Sequence, residues 1–315
     1  MTMLTDKIRA NLFDDEILEI LKRGRIKAHN GLASPISSQA SCLNFWYPFT
    51  KPENKKYLIK VLKLIGINAS DIITIGPNWD FNGTLYKDYG NVIFEWIGPE
   101  QSPIGEENGY MRGHHRTSID AYILAIVDNK VTQLLIEWKF TEHYSSKSNT
   151  GKFLGGKGVE RLSRYSPIIA RDRKAGKDIL FNFSNLDHWG LYDVGYEPFY
   201  QLLRQHMLGQ ETVGMNFGPH KIEDYIVIHL SHSKNTKLNQ LLRKNIEYCK
   251  GLENYVGQEL HTVWKNLLSP EQKHHFRGAY WDEMLMNTEW PFCQTPWYDY
   301  IFDRNVKFTK GLTKF

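Results

Sequence analysis

Cysteine is scarce in this chain, and long apolar runs do not occur. The 315 residues include three widely spaced cysteines, Cys42, Cys249 and Cys293, and no C-x-x-C pair. This spacing excludes a disulfide-stapled fold and predicts a reducing, cytoplasmic environment. No apolar stretch approaches the ~20 residues that a membrane-spanning helix needs. Residues 1–20 read as an amphipathic, acidic segment rather than as a signal peptide.

Several catalytic signatures are also missing. No G-x-S-x-G occurs, and no cysteine has a recognisable catalytic setting, so neither kind of nucleophile is indicated. Residues 151–158 nearly match the phosphate-loop pattern G-x-x-x-x-G-K-[ST], but Gly158 stands where the hydroxyl residue belongs. No buried strand directly precedes this segment. The pattern therefore argues against nucleotide hydrolysis, but the sequence still allows a loop that binds phosphate.

Charge of one sign is not abundant, since the net charge is only +4. Its distribution is more informative than its sum. A basic stretch leads directly into the strand that bears Asp120, and it contains Arg112, His114, His115 and Arg116. We expect these cations to contact phosphates next to a scissile one, which would make binding salt-dependent. The alternative is an ordinary solvated loop.

Two apolar segments predict a β-hairpin in the middle of the chain. Residues 118–127 and 130–140 are rich in strand formers, and they flank Asp128 and Asn129, a candidate two-residue turn. One face of the second strand is apolar, and most positions on the other face of the hairpin are apolar as well. We therefore expect a hairpin that is covered on both sides, with its charged residues gathered at one end.

The hairpin register brings three charged residues together. A two-residue turn places Asp120 directly opposite Glu137, with Cβ atoms roughly 5 Å apart. Because positions i and i+2 of a strand share a face, Lys139 points the same way as Glu137. A three-residue loop would put Asp120 on the other face. An ordinary hairpin with an exposed salt bridge is the alternative to a functional site.

Two carboxylates at this distance repel each other, and one takes up a proton unless a cation lies between them. Mg²⁺ suits this place, because it accepts one or two carboxylates and keeps other positions for water and phosphate. We therefore favour a metal site held by Asp120 and Glu137, with the main-chain carbonyl of Trp138 as a further ligand. Lys139 could orient or deprotonate an attacking water, or hold a phosphate oxygen.

One spacing of residues resembles the signature of the PD-(D/E)XK nuclease superfamily. It consists of Ile119 and Asp120, then sixteen residues, then Glu137, Trp138 and Lys139. Ile119 replaces the proline usually quoted before the aspartate. The resemblance implies an α/β, restriction-endonuclease-like core with a small mixed central sheet flanked by helices. It further implies Mg²⁺-dependent hydrolysis of phosphodiester bonds, with Mn²⁺ able to substitute, by a DNA endonuclease of restriction or defence type.

The resemblance also implies a substrate and partners, and it leaves two alternative functions. It implies a nucleic-acid substrate, DNA being favoured over RNA, and it leaves open a homodimer, a partner methyltransferase or a defence-system protein. A nuclease acting on RNA is one alternative. The other is a non-catalytic nucleic-acid-binding or assembly module on the same fold, which an intact Asp–Glu–Lys set argues against.

The remaining elements fit the core order of that family. We predict an N-terminal helical segment over residues 1–30, a nuclease core over 31–232 with an insertion at about 142–190, and a helical, aromatic-rich C-terminal region over 233–315. Within these regions the patterns predict helices at 37–47, 55–65, 198–208 and 270–286, and core strands at 91–97 and 224–230.

Accessory residues are expected on the neighbouring elements. Several family members add an acid from the first core helix, which here has none. Gln39 could hold a water there, and Glu95 could supply the carboxylate, although a surface acid at a strand edge is equally open. On the later helix, Gln201, Arg204 and Gln205 form a polar stripe that could touch the phosphate backbone, and for Gln205 we favour a position that faces solvent.

Overall fold

The computed structural model describes residues 2–106, 116–174, 180–182 and 190–312. Its helices are α1 (Thr2–Arg9), α2 (Glu16–Arg23), α3 (Ser38–Trp46), α4 (Lys55–Leu64), α5 (Lys147–Thr150), α6 (Gly155–Lys174), α7 (Phe199–Thr212), α8 (Thr236–Asn239), α9 (Leu260–Leu267), α10 (Trp281–Leu285) and α11 (Pro296–Leu312). Its strands are β1 (Ala69–Ile73), β2 (Trp79–Phe81), β3 (Thr84–Tyr86), β4 (Ile93–Trp96), β5 (Ile119–Val127), β6 (Lys130–Trp138), β7 (Asn216–Phe217), β8 (His220–Lys221), β9 (Asp224–Ser231) and β10 (Phe276–Tyr280).

A six-stranded mixed sheet forms the centre of the molecule. β5 and β6 pair antiparallel, β9 pairs parallel with β6, and β10 pairs parallel with β9. β1 and β4 both pair antiparallel with β5, along the edge of β5 that does not contact β6. A second, four-stranded sheet contains β2, β3, β7 and β8. The predicted α/β class with a mixed central sheet flanked by helices is confirmed.

The turn between β5 and β6 has the predicted length. Asp128 and Asn129 have φ values of 50° and 62°, the left-handed conformation that a two-residue hairpin turn requires and that Asp and Asn tolerate. Val127 pairs with Lys130 as a result. The same register continues along both strands, so the predicted alignment of the hairpin is confirmed.

The sheet separates two hydrophobic cores, because alternate residues of each strand point to opposite faces. Ala121 and Ile123 of β5 pack into one core with side chains of α3, α4 and α11. Tyr122 and Leu124 pack into the other with side chains of α7 and α9. The strands are therefore buried on both faces, which explains their nearly continuous apolar sequence.

Helix α7 lies close against the sheet at Gly209. A Cβ there would lie 2.4 Å from Cδ2 of Tyr225 and 2.9 Å from Cδ1 of Leu135. Since any larger residue would push the helix away, Gly209 fixes the distance between α7 and the strands β6 and β9. This close packing places the polar side chains of α7 over the charged end of the hairpin.

The predicted helices at 37–47, 55–65 and 198–208 are found as α3, α4 and α7, and the predicted strands as β4 and β9. The helix expected over 270–286 is wrong. A 3₁₀ turn (Pro270–His275), strand β10 and helix α10 occupy that stretch. Gly278 is a poor helix former, and in β10 it leaves room for the ring of His261, whose Cγ would lie 2.2 Å from a Cβ.

Among the described residues, no helix combines the length and the apolar character that crossing a membrane requires.

Candidate active site

A cavity of about 740 Å³ opens at the charged end of the hairpin. Every described residue that the sequence assigned to the site lines it: Gln39, Glu95, Arg116, Asp120, Glu137, Trp138, Lys139, Gln201 and Arg204. Arg112, His114 and His115, which were expected to contact phosphate, lie outside the described residues. The fold thus gathers into one cavity residues from α3, β4, β5, β6 and α7.

The E-x-K pair forms a buried ion pair. Nζ of Lys139 lies 2.6 Å from Oε1 of Glu137, and both side chains are almost fully buried. The other carboxylate oxygen of Glu137 accepts a hydrogen bond from the side-chain amide of Gln205. Burial lowers the pKa of Lys139, but nearby anions, above all Glu137, raise it more, and the pKa ends well above its ordinary value.

Asp120 lies beside this pair on β5. Its Oδ2 accepts a hydrogen bond from the main-chain N–H of Trp138 at 2.7 Å, which ties the carboxylate to β6. Burial, and then the charges of Glu137 and Glu95, raise the pKa of Asp120 well above its ordinary value. Two buried carboxylates, Glu137 and Glu95, and the partly buried Asp120 therefore share one region, the arrangement that a divalent cation relieves.

Glu95 is buried, so it is not a surface acid at the edge of the sheet. Its carboxylate accepts hydrogen bonds from Oγ of Ser118 at 2.5 Å and from Nε2 of Gln39 at 3.1 Å. Its backbone has a φ of 50°, a left-handed conformation that costs a non-glycine residue about 1–3 kcal/mol and is concentrated at functional sites. The two accessory residues expected from the sequence are thus in direct contact.

The main chain of Trp138 also faces this region. Its carbonyl accepts a hydrogen bond from Oγ of Ser38, the first residue of α3, at 3.2 Å. The indole packs on the opposite side of the sheet, stacked on Trp281 with ring centres 5.2 Å apart. Because successive side chains of a strand point to opposite faces, the indole of Trp138 packs in one core while Glu137 and Lys139 face the cavity on the other side.

Helix α7 contributes three polar residues. The guanidinium of Arg204 lies 4.8 Å from the ring centre of Tyr200 and 3.7 Å from Oε1 of Glu106. Gln201 accepts a hydrogen bond from the hydroxyl of Tyr144 at 3.4 Å. The expectation that Gln205 faces solvent is wrong, because its side chain is 1% exposed. Helical periodicity alone placed it on the polar stripe, and the close approach of α7 at its C-terminal half buries it.

Arg116 lines the cavity, but its guanidinium already has main-chain partners. Nη1 donates to the carbonyl of Glu100 at 2.9 Å, and Nη2 donates to the carbonyls of Ile97 and Pro99 at 2.9 and 2.7 Å. Burial lowers its pKa, although nearby Tyr86 and Glu106 act in the other direction. In this arrangement the side chain holds the segment that follows β4 against the start of β5.

Sequence reasoning missed Glu142, Tyr144 and Asn149, which also line the cavity. Nζ of Lys139 lies 5.7 Å from the ring centre of Tyr144, and the pKa of this phenol is raised, chiefly by burial. Glu142 accepts a hydrogen bond from the N–H of Phe140 at 2.7 Å. Their place in the polar segment that follows β6 was the one available signal.

A second cluster of potential metal ligands, Asp224, His274 and His275, lies at the other end of β9. Asp224 pairs with Thr132, whereas Glu137 pairs with His229. Nζ of Lys130 lies 3.4 Å from Oδ2 of Asp224, and Nδ1 of His275 lies 2.7 Å from the carbonyl oxygen of Tyr225. With a single carboxylate and one imidazole nitrogen engaged, this cluster suits a hard cation such as Mg²⁺ less well than the three carboxylates at the hairpin end.

A model of the family described as restriction endonuclease associating with ARP matches residues 6–304 of the chain. The match includes the hairpin, the later helix α7 and the C-terminal region. No curated protein matches the chain, and no solved structure matches it.

Proposed function

Since the chain belongs to the family of restriction endonucleases associating with ARP, we propose that it is a metal-dependent nuclease with a PD-(D/E)XK site. The proposed reaction is endonucleolytic hydrolysis of phosphodiester bonds in DNA, in restriction or defence. One observation carries the proposal: Asp120, Glu137 and Lys139, from two paired strands, line the same cavity with Glu137 and Lys139 in a buried ion pair. A buried charged set of this kind is expected at a site and not in a structural hairpin.

The residues fit a magnesium ion. Asp120 and Glu137 would hold it, with the carbonyl of Trp138 as a third oxygen donor and Glu95 as a further carboxylate at the same cavity. Mn²⁺ would substitute, because it accepts the same oxygen ligands. When bound, such an ion supplies Lewis-acid polarisation of the phosphoryl group. Burial and then the charges of Glu137 and Glu95 raise the pKa of Asp120, and this cation would offset the part that is due to those charges.

The chain itself supplies positioning and charge. The ammonium of Lys139, 2.6 Å from Glu137, orients the attacking water or stabilises the negative charge that develops on the phosphoryl oxygens. Gln205 holds the Glu137 carboxylate from the other side. Gln201 and Arg204 lie on the same wall of the cavity and would contact flanking phosphates, which fix the register of the substrate.

The complete Asp–Glu–Lys set favours a nuclease over a non-catalytic binding module. Binding alone needs exposed cations, and it gains nothing from buried carboxylates that repel phosphate. The aromatic and cationic groups beside the cavity suit either DNA or RNA, so both are substrates in the test below.

The test is cleavage of plasmid DNA, linear DNA and RNA with Mg²⁺, Mn²⁺ or EDTA. Wild type, Glu137→Ala and the control Glu253→Ala, on an exposed 3₁₀ turn, are compared. We expect metal-dependent cutting of DNA by wild type and control and none by Glu137→Ala. Cutting that survives Glu137→Ala would contradict the assigned site. Salt-dependent binding without any cutting would favour the binding module, and cutting of RNA alone would correct the substrate.

A further inference from the structure

A second cavity, of about 820 Å³, lies beside the candidate active site. Four cations line it, Lys147, Lys152, Lys157 and Arg161, and no acidic side chain is among the described residues of its wall. We call it the basic cavity. A concentration of positive charge with no acid in the wall is the electrostatic feature that receives phosphate.

The basic cavity is continuous with the candidate active site through Asn149. This residue, on the short helix α5, lines both cavities. Its Oδ1 accepts a hydrogen bond from Nζ of Lys152 at 3.2 Å, so the boundary between the two cavities is itself tied to a cation. A strand of nucleic acid cut beside Lys139 would therefore meet these cations as it leaves the site.

The near phosphate-loop sequence builds one wall of the basic cavity. A Cβ at Gly158 would lie 2.1 Å from the main-chain carbon of Phe153, so glycine is needed where the loop packs on the first turn of α6. The N–H of Lys152 donates to the carbonyl of Gly195 at 2.8 Å, and Nη1 of Arg161 donates to the carbonyl of Lys152 at 2.6 Å. These bonds hold the loop in place before any ligand arrives.

Two of the four cations are exposed and two are engaged. Nζ of Lys152 lies 3.2 Å from Oε1 of Glu197, which compensates one charge. Lys147 and Lys157 are exposed, and Nζ of Lys147 lies 5.5 Å from the ring centre of Tyr248. The first turn of α6 contains no acidic residue, and N–H groups at a helix start lack intrahelical partners. The net field of the basic cavity is therefore positive.

We propose that the basic cavity binds backbone phosphates adjacent to the scissile one, on the strand that is cut. This inference rests on the proposed function and adds to it the course of the substrate beyond the active site. The near phosphate-loop segment then serves as a clamp on nucleic acid and not as a nucleotide-hydrolysing site. Such contacts set affinity and position on the substrate, and they do not read sequence.

The test is binding of labelled DNA by the full chain in EDTA, where cutting is not expected, at several salt concentrations. The double variant Lys147→Gln, Lys157→Gln is compared with wild type and with a control double variant, Lys60→Gln, Lys63→Gln. The control removes two exposed charges on α4. The apolar side chains of α4 pack in the core on the other face of the sheet. Losing phosphate contacts should lower the slope of log affinity against log salt by about 1–2, equally for all sequences, with the control unchanged.

A second readout locates the contact. DNA shortened one nucleotide at a time from either end should lose affinity for wild type when the phosphates in the basic cavity are removed, and the variant should not respond to that step. If variant and control bind as wild type does, the basic cavity does not hold substrate and the inference is wrong, while the proposed nuclease stands. If wild type binds no nucleic acid at any salt concentration, the proposed function fails and this inference fails with it.

Discussion

The side-chain amide of Gln205 on α7 donates a hydrogen bond to the carboxylate of Glu137 on β6. Both side chains are buried, and Gly209, one turn further along the helix, sets the distance between α7 and the sheet. One oxygen of Glu137 is thus held by Gln205 and the other by Lys139. A carboxylate with two fixed partners is presented in one orientation, as a ligand of a metal requires.

Replacing Gln205 by leucine should weaken the proposed metal site without unfolding the chain. Leucine has a similar size, so the packing of α7 is kept while the donor to Glu137 is lost. Loss of such a supporting bond typically weakens metal affinity or activity by about 10- to 100-fold. Titration of cleavage against Mg²⁺ concentration measures the change. The control Gln210→Leu removes an amide on the same helix that bonds Asp172. Equal Mg²⁺ dependence in both variants would show that Gln205 does not act on the site.

Replacing Lys139 by methionine should abolish most cutting and leave DNA binding in place. The variant removes a buried cation next to the carboxylates but keeps an unbranched side chain of similar length. Loss of one stabilising group in a buried site lowers kcat by about 100- to 1,000-fold. Single-turnover cleavage and gel-shift binding on the same samples separate the two effects. Lys130→Met, at the start of the same strand and paired with Asp224, is the control, and a kcat reduced equally in both variants would contradict a specific role.

The left-handed backbone at Glu95 predicts an unusual order of stabilities. Glu95→Gly and Glu95→Ala lose the same carboxylate and the same bonds to Ser118 and Gln39. Because φ is 50°, glycine should be more stable than alanine by about 1 kcal/mol, the reverse of the order expected within a strand. Urea unfolding followed by fluorescence measures the difference. Alanine as the more stable variant would mean that the backbone at this position is not left-handed.

Acid should destabilise the fold through His206. This side chain is fully buried and accepts a hydrogen bond from Nε1 of Trp264 at 3.2 Å. Burial, and then the charge of His275, lower its pKa in the folded state. Below the unfolded value of about 6.5, the unfolded chain therefore binds a proton that the folded chain does not, and stability falls as pH falls.

The expected contribution of His206 is a slope of at most about 1.4 kcal/mol per pH unit in the free energy of unfolding. Urea unfolding between pH 7.5 and 5.0 should show a shallower slope for His206→Gln than for wild type. His143→Gln, at an exposed position, controls for the substitution itself. An unchanged slope in His206→Gln would mean that the ring takes up its proton without disturbing the fold.

Much of the charged end of the hairpin was predictable, because its geometry is local. The turn at Asp128 and Asn129 fixes the register, and the register brings Asp120 to Glu137 by strand periodicity alone. The helices α3, α4 and α7 followed from caps and apolar spacing. The burial of Glu95 and Gln205 was not predictable, since it depends on how closely β4 and α7 pack on the hairpin.

The edges of the sheet were harder to predict from local pattern. β1 is five residues long with two exposed positions, and β10 contains a glycine and lies in a stretch with a helix-like apolar pattern. Both become strands because a neighbour, β5 or β9, offers unpaired main-chain groups. Such a tertiary contribution leaves little trace in the sequence of the strand itself.

In the proposed site, Asp120 and Glu137 hold a divalent cation, which offsets the repulsion between their carboxylates. The most direct test is thermal unfolding of wild type and Asp120→Asn in EDTA and with increasing Mn²⁺ or Mg²⁺. In EDTA, Asp120→Asn should be more stable than wild type, because one repelling charge is gone and asparagine still accepts the hydrogen bond from the N–H of Trp138. With metal, wild type should gain Tm in proportion to the logarithm of concentration, and the variant should not. A Tm that rises equally with metal in both proteins, or in neither, would mean that Asp120 and Glu137 do not hold the ion.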